Sequence, residues 1–461
     1  MVEYLEPIQP GQSWLVARIQ RHSSELIRLA VPIVVSRAGI LIMATVDTAM
    51  VGRYDTTELA YMAIGGALII PIMLIFMGMT LGTLVLTSAS FGAEDYKKCG
   101  SIWRRSMPYA FVLGLVSVSV AYFGQDLLAL TGQTERLATE GGAIMRVIGY
   151  GLPGYLLFMV SAFFLEGIHR PLPSMYIMIV ANVLNFVLNL WFISGGYGLD
   201  ANGAMGAAWA TVLARWFLGI NAIAYIWFMT DHALFGIRDK ITESWASWTN
   251  QRQLGYAIAL SIGVEASSFA SLNIFAGWMG ESSVAAYSIG INVLSIMFMI
   301  SLGFGTASSV RVGIAYGRKD HPDAALAGWA GLGVNSIVLA FVGGSVCYFA
   351  FEVTSMFSTD LGLVQFATPL VFICGMAIVL DGGQAVMANV LRGRQDVWIP
   401  SGLQTISYVG FLIPLGWFLS IYLDRGPKGL FEGIFLASIV ALSMLAIRFY
   451  VLCRKDFQCP D

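Results

Sequence analysis

The chain has 461 residues, of which 57% are apolar and only 12% charged, with 50 glycines besides; soluble domains carry roughly 45–50% apolar residues, glycine included, and about 25% charged ones. That balance excludes a single core facing water on all sides and places the chain in a bilayer, and a formal net charge of −2 names no polyanionic partner such as nucleic acid. Five scattered cysteines, Cys99, Cys347, Cys374, Cys453 and Cys459, odd in number and without metal-ligand spacing, indicate neither a disulfide framework nor a zinc site and read as packing residues.

In chain order, residues 1–29 carry Glu3, Glu6, Arg18, Arg21 and Glu25 ahead of any apolar run, unlike the short basic, then apolar shape of a cleaved signal peptide. Targeting is therefore expected from the first span. A helix needs about 20 apolar residues to cross the hydrocarbon, and runs of that size predict twelve spans, with cores near 30–51, 62–86, 107–123, 143–164, 174–193, 204–229, 255–279, 284–310, 325–350, 363–390, 398–422 and 430–451. All are expected to be helical, because a helix satisfies its own backbone where no water is present. Lys and Arg divide unevenly across this arrangement: eighteen fall on the side of the termini and the even-numbered connections, against Arg53, Arg136, Arg425 and Lys428 on the other. The positive-inside rule then predicts a multi-pass protein of the cell inner (plasma) membrane with both termini in the cytoplasm.

Motifs recur at a constant offset. "AIGGAL" and "SIGINVL" align Gly65 with Gly290 at 225, and "FGAED" and "YGRKD" align residues 91–95 with 316–320 at 225. Gly167 and Gly393, the "WF" pairs beginning at Trp191 and Trp417, and Gly203 and Gly429 follow at 226. An offset spanning six crossings gives two halves of like orientation related by an axis along the membrane normal, an arrangement used by transporters with a central site. The expected fold is an all-α polytopic membrane protein of twelve transmembrane helices in two pseudo-symmetric six-helix lobes. Its expected parts are a cytoplasmic N-terminal segment (1–29), an N-lobe (30–229), a hydrophilic cytoplasmic linker (230–253), a C-lobe (254–452) and a cytoplasmic tail (453–461).

Three acids sit inside apolar runs, where a carboxylate costs about 2.5–3.5 kcal/mol on insertion scales and is tolerated only in a protein interior or a wet cavity. Glu265, in "IALSIGVEASSFASLNIFAGWM", has no Lys or Arg in its stretch, and Ser261 and Ser268 share its helical face. Asp381, in "GMAIVLDGGQAV", has Gln384 one turn on and Gly382 and Gly383 directly after it, which predicts a helix loosened beside the acid. Asp47, in "ATVDTAMVG", lies nearer the outer end of the first span, where reaching interface water is the competing reading. "ANVLNFVLNLW" puts Asn182, Asn185 and Asn189 on one helical face, either to line a cavity or to bind helices together.

Arg37 is expected to snorkel towards the cytoplasm; for Arg215, near mid-span, an internal ion pair is the simplest reading. Glu166 and Glu352 fall near helix ends, where acids are ordinary, and Pro32 and Pro414 are candidate bends. His22, His169, His232 and His321 fall in connections or tails, so no metal or proton relay is assigned to them. No Walker loop, H-E-x-x-H or Ser/His/Asp arrangement is visible, which argues against an enzyme and leaves an ion gradient as the energy source, with no cofactor beyond the coupling ion. A cavity holding acids but few bases should attract cations, and 21 methionines with 12 Trp, 18 Tyr and 28 Phe supply an adaptable apolar wall for lipophilic ones.

"VDTAMVG" closing the first span, "FGAEDYKK" after the second, "LNFVLNLW" in the fifth, "AAYSIGIN" in the eighth and "LRGRQD" after the tenth together resemble the multidrug and toxic compound extrusion (MATE) family, in its bacterial NorM-like branch, over nearly the whole chain. The resemblance implies two lobes facing a central cavity and export of cationic amphipathic compounds in exchange for Na⁺ or H⁺ by alternating access. It implies coupling acids in the seventh and tenth helices, matched by Glu265 and Asp381, which would also hold the metal ion if the coupling ion is Na⁺. It further implies an amino-lobe site of a first-helix aspartate, matched by Asp47, and fifth-helix asparagines, matched by Asn185 and Asn189. Ser261, Ser268 and Gln384 are the polar residues expected to line the cavity beside these acids. Arg37 and the Gly382, Gly383 pair depart from the pattern. A lipid-linked precursor flippase of the same superfamily would want a basic cavity for phosphates, and a major facilitator transporter would carry a G-x-x-x-D-R-x-G-R-R loop that is absent from "FGAEDYKKCG". The expected partners are cationic amphipathic small molecules, Na⁺ or H⁺ and membrane lipids, and nothing demands more than a monomer.

Overall fold

Each of the twelve apolar runs lies on helix. The computed structural model describes residues 14–196, 200–240 and 244–458; Glu3, Glu6 and Cys459 of the sequence analysis lie outside the described residues. The N-lobe holds α1 (Trp14–Tyr54), α2 (Thr56–Gly92), α3 (Tyr96–Tyr122), α4 (Glu135–Tyr150 continued by Leu152–Gly167), α5 (Leu172–Ser194) and α6 (Gly203–Phe228). The C-lobe holds α7 (Thr249–Trp278), α8 (Glu281–Gly317), α9 (His321–Tyr348), α10 (Leu361–Gly393), α11 (Trp398–Tyr422) and α12 (Pro427–Gln458). Among the described residues ten helices pass for membrane spans on length and composition, or twelve when the two bent pairs each count as one. The chain is thus a multi-pass membrane protein. The bends are 58° between α3 and the short helix Gly124–Leu130, and 40° within α4.

The repeat extends to turn geometry. After α2 the chain passes through Glu94 in the left-handed region (φ 59), and Asp95 then accepts the Lys98 backbone N–H at 3.2 Å. After α8 it passes through Lys319 (φ 61), and Asp320 accepts the Asp323 backbone N–H at 3.0 Å. One residue closes a helix and the next caps its successor, which explains why the two motifs share a terminal aspartate. His169 and Gln395 form a second left-handed pair, φ 67 and 64.

The lobes meet through a reciprocal seam of small residues. Gly92 leaves no room for a Cβ against the Ile314 carbonyl, and Gly317 none against the Ala89 carbonyl; likewise Gly78 packs on Ala259 and Gly303 on Val34. Within each pair of contacts both partners shift by the repeat offset, so the two lobes use the same patch, as a two-fold interface must. Without side chains at these points the backbones approach closely enough for van der Waals packing to hold them in lipid. These contacts fall in the half of the helices nearer the termini. Towards the opposite ends, Thr45 and Thr48 of α1 and Ser267 and Asn273 of α7 are exposed.

An ionic cluster closes the same side. Buried Asp323 of α9 receives Arg18 at 3.0 Å, Arg21 at 3.0 Å and Arg318 at 3.0 Å. His22 Nε2 lies 3.0 Å from the same carboxylate, while an Arg311 N–H donates to His22 Nδ1 at 2.7 Å. Arginine cannot accept, so the proton of neutral His22 sits on Nε2 and points at Asp323. Glu25 pairs with Arg311. His22 is therefore not a tail residue but a buried bridge between the lobes, because α1 starts well before its apolar run.

Two other expectations change. α10 runs unbroken through Gly382 and Gly383; Gly382 makes room for Ser301 and Leu339, and Gly383 faces Leu332 and Leu442, so the pair serves close packing rather than a loosened helix. Around Pro414, α11 winds as π-helix over Ile406–Leu412 and again over Phe418–Tyr422. Beyond α6, Phe235 and Ile237 are buried, and the Gly236 carbonyl accepts from Arg104 of α3.

Candidate functional site: two buried polar clusters and the cavity between the lobes

In the C-lobe, α7, α10, α11 and α12 bring polar side chains into one chain of hydrogen bonds. Ser261 Oγ donates to Gln404 Oε1 at 2.5 Å, Gln404 Nε2 donates to Gln384 Oε1 at 3.1 Å, and Gln384 Nε2 donates to the Tyr408 hydroxyl at 3.0 Å. Arg392 joins at the other end, donating to Ser261 Oγ at 3.4 Å and to Asn389 Oδ1 at 3.3 Å. Glu265 stands on the same helix as Ser261, one turn on, and faces Tyr408, Arg392 and Asp381. Asp381 is 3% exposed and accepts from Ser438 of α12 at 3.2 Å. Tyr408 reaches this cluster from the π-helical turn of α11; such turns widen a helix by one residue and recur at functional sites.

Ser268 stays out of the cluster: its hydroxyl donates to the Val264 carbonyl of its own helix at 2.8 Å. Tyr408, Gln404, Arg392, Asn389 and Ser438 join it, and sequence reasoning passed over all five. An amphipathic reading of α11, with Gln404 and Tyr408 four apart, offers the one signal that would have found two of them.

The N-lobe cluster is smaller. Asp47, 7% exposed, accepts from Asn189 Nδ2 at 2.5 Å and from Thr211 Oγ1 at 2.5 Å. Asn189 Nδ2 also donates to Asn185 Oδ1 at 3.2 Å, and Asn185 Nδ2 to Thr211 Oγ1 at 3.4 Å. Asp47 therefore faces protein, not interface water. Asn182 takes no part; it donates back to Met178 O at 2.9 Å. Asn189 Oδ1 is buried without a hydrogen-bond partner among the described residues, an acceptor beside a carboxylate. Arg215 lines the same cavity of about 170 Å³ as Asp47 and Thr211, with its guanidinium 5.8 Å from the Tyr155 ring.

Between the lobes, a cavity of about 90 Å³ is lined by Arg37 and Phe163 of the N-lobe and by Glu265, Gln384, Arg392 and Gln404 of the C-lobe. Pockets for drug-sized ligands run to about 300–1,000 Å³, so this pocket taken by itself is the size of a water or ion site. Arg37 does not snorkel. Its Nη2 donates to both oxygens of buried Glu166 at 3.0 Å each, its Nη1 to the Met159 sulfur at 3.6 Å, and the guanidinium lies 5.1 Å over the Phe163 ring. The cavity thus holds two arginines beside one glutamate, where more acid than base was expected. Among the described residues no three His, Cys, Asp or Glu side chains group as a metal site, and burial with nearby Arg28 pushes the His169 imidazole down to about 4, keeping it neutral.

Comparison with known proteins completes the picture. The MatE family model matches residues 32–191 and again residues 257–418, two stretches that begin at the spacing of the internal repeat. The chain belongs to the MATE family. Similar curated proteins include a probable multidrug resistance protein NorM of Caulobacter vibrioides, 33% identical, covering 94% of this chain and 92% of that protein. The multidrug resistance protein PmpM of Pseudomonas aeruginosa is 28% identical, with 95% and 93% covered. Among solved structures, an outward-facing multidrug resistance MATE transporter of the MOP superfamily matches with TM-score 0.88 at 18% identity, covering 97% of this chain and 100% of that one. The eukaryotic MATE transporter AtDTX14 matches with TM-score 0.86 at 20% identity, covering 95% and 98%. At such identities the structures speak for the fold: two six-helix lobes, as in other MATE transporters. The chain is a transporter rather than an enzyme.

Proposed function

We propose that this MATE transporter exports lipophilic, cationic compounds out of the cell by alternating access of its two lobes, driven by inward flow of Na⁺ or H⁺. The relatives bear multidrug resistance names over nearly their whole length, and the chain carries no nucleotide-binding loop. The observation that carries the coupling reading is the pair Glu265 and Asp381, two carboxylates inside the membrane on one network with Tyr408, Gln384 and Ser261. Na⁺ would find carboxylate, amide and hydroxyl oxygens there, as hard cations require; a proton would need one carboxylate. Asp47 with Asn185 and Asn189, and the orphan Asn189 oxygen, offers a second such place in the N-lobe. Arg392 would supply the positive charge beside Glu265 when the ion has left, so that ion and arginine compete for one carboxylate. A ligand shifts a two-state protein only by binding the states unequally, and such competition makes the binding unequal. The basic excess at the terminal side supports a bacterial inner membrane location with cytoplasmic termini.

The test is uptake of a fluorescent lipophilic cation into inside-out proteoliposomes under an imposed Na⁺ or pH gradient. Gradient-driven uptake that is lost in Asp381→Asn and in Glu265→Gln is the expected result, and the gradient that works names the ion. Undiminished uptake in both variants would remove the coupling role.

A further inference from the structure

A cleft of about 770 Å³ lies on the outer wall of the C-lobe, between α10, α12 and the short helix Ala350–Ser355. Phe351, Phe372 and Met376 are exposed along it, so it opens towards lipid. In a bilayer, apolar surface gains nothing by exchanging one acyl chain for another, since lipid tails are as apolar as the wall. Selection must come from the mouth, where Arg425, Lys428 and Glu432 stand.

The residues lining the mouth carry more positive charge than negative. Arg425, half-exposed, pairs with Glu432 at 2.7 Å, while exposed Lys428 makes no ion pair among the described residues. Among the residues that line the cleft, two cations against one carboxylate leave an excess of positive charge at its rim; the exposed carboxylates of Asp424 and Glu352 stand outside that lining. Outside the spans, Arg53, Arg136, Arg425 and Lys428 are the basic residues on this side of the membrane, and two of them meet here. At the repeat offset of 226 their counterparts are Leu199 and Asn202, both uncharged, so the charge belongs to the C-lobe and not to the duplicated scaffold.

We propose that this cleft binds an anionic phospholipid of the leaflet facing away from the termini, with an acyl chain between α10 and α12 and its phosphate at Lys428 and Arg425. Phosphate offers oxygens to both, and Arg425 turns one N–H from Glu432 to the lipid; a guanidinium has five to give.

The full chain, reconstituted in phosphatidylcholine nanodiscs with a small fraction of phosphatidylglycerol bearing a photoactivatable acyl chain, provides the test. Crosslinks should concentrate in α10 and α12, be competed by unlabelled phosphatidylglycerol, and resist both excess phosphatidylcholine and free glycerol phosphate. Labelling should fall at least threefold in the Arg425→Gln/Lys428→Gln variant and stay unchanged in Arg53→Gln/Arg136→Gln. Glu432→Gln, which keeps both cations and removes their competitor, should raise it, and remains informative if the double variant fails to fold. Labelling spread around the lipid-facing belt, competition by free glycerol phosphate, or indifference to all three variants would overturn the proposal.

Discussion

Arg37 Nη2 lies 3.0 Å from each oxygen of Glu166, with both side chains almost wholly buried. A buried pair gives little net stability over apolar residues of like size, but removing one partner strands the other charge and costs about 3–5 kcal/mol. Glu166→Gln should therefore lower the unfolding temperature in detergent markedly, whereas the double variant Arg37→Met/Glu166→Leu should recover most of the loss; equal losses in both would mean the pair itself is strongly stabilising. The sequence placed Arg37 well inside the first span but could not name a partner 129 positions away, and a lone arginine at that depth reads as snorkelling. The intramembrane acids were legible because each is costly on its own. Their hydrogen-bond donors were not, since Tyr408, Gln404 and Ser438 are ordinary residues until three helices converge on them.

At the scale of elements, the glycines fall into two physical classes that the sequence does not separate. Gly317 sits where a side chain would meet the Ala89 carbonyl across the seam, while a methyl group at Gly333 on α9 would meet nothing within 4 Å. Gly317→Val should pry the lobes apart on the side of the termini and reduce transport at least tenfold. Gly333→Ala should leave transport intact and add about 0.5–1 kcal/mol, through the smaller backbone entropy that alanine loses in a helix. Transport assays beside thermal unfolding check both, and equal effects would dissolve the distinction. Helix positions were readable from hydropathy because spans must be apolar for about 20 residues. The 58° and 40° bends and the π-turns of α11 were not, since they depend on neighbours and change no local composition.

At the scale of the molecule, transport through a site between two lobes requires the side now closed to open. Two things hold it shut: the glycine seam, and Asp323 gathering Arg18, Arg21, Arg318 and His22. The seam is apolar and changes little with solution conditions. The cluster is ionic, and its arginines belong to α1 as well as to the C-lobe, so opening must separate them. Moving a two-state equilibrium from 1:99 to 99:1 takes about 5.5 kcal/mol, and stripping a buried carboxylate of its charge beside three arginines is worth a large part of that, about 3–5 kcal/mol. Asp323→Asn should then populate the form open towards the termini. Spin labels on Lys97→Cys in the N-lobe and Lys455→Cys in the C-lobe, both exposed, should show a longer-distance population growing in that variant, while Asp360→Asn, an exposed helix cap at the far end of the C-lobe, should leave the distribution unchanged. The expected gain carries a cost: a lobe pair that no longer recloses slows the return step, so turnover falls even as the rare state becomes common. A distance distribution indifferent to Asp323 would mean that the seam alone sets the balance and that the arginines serve only to anchor the start of α1.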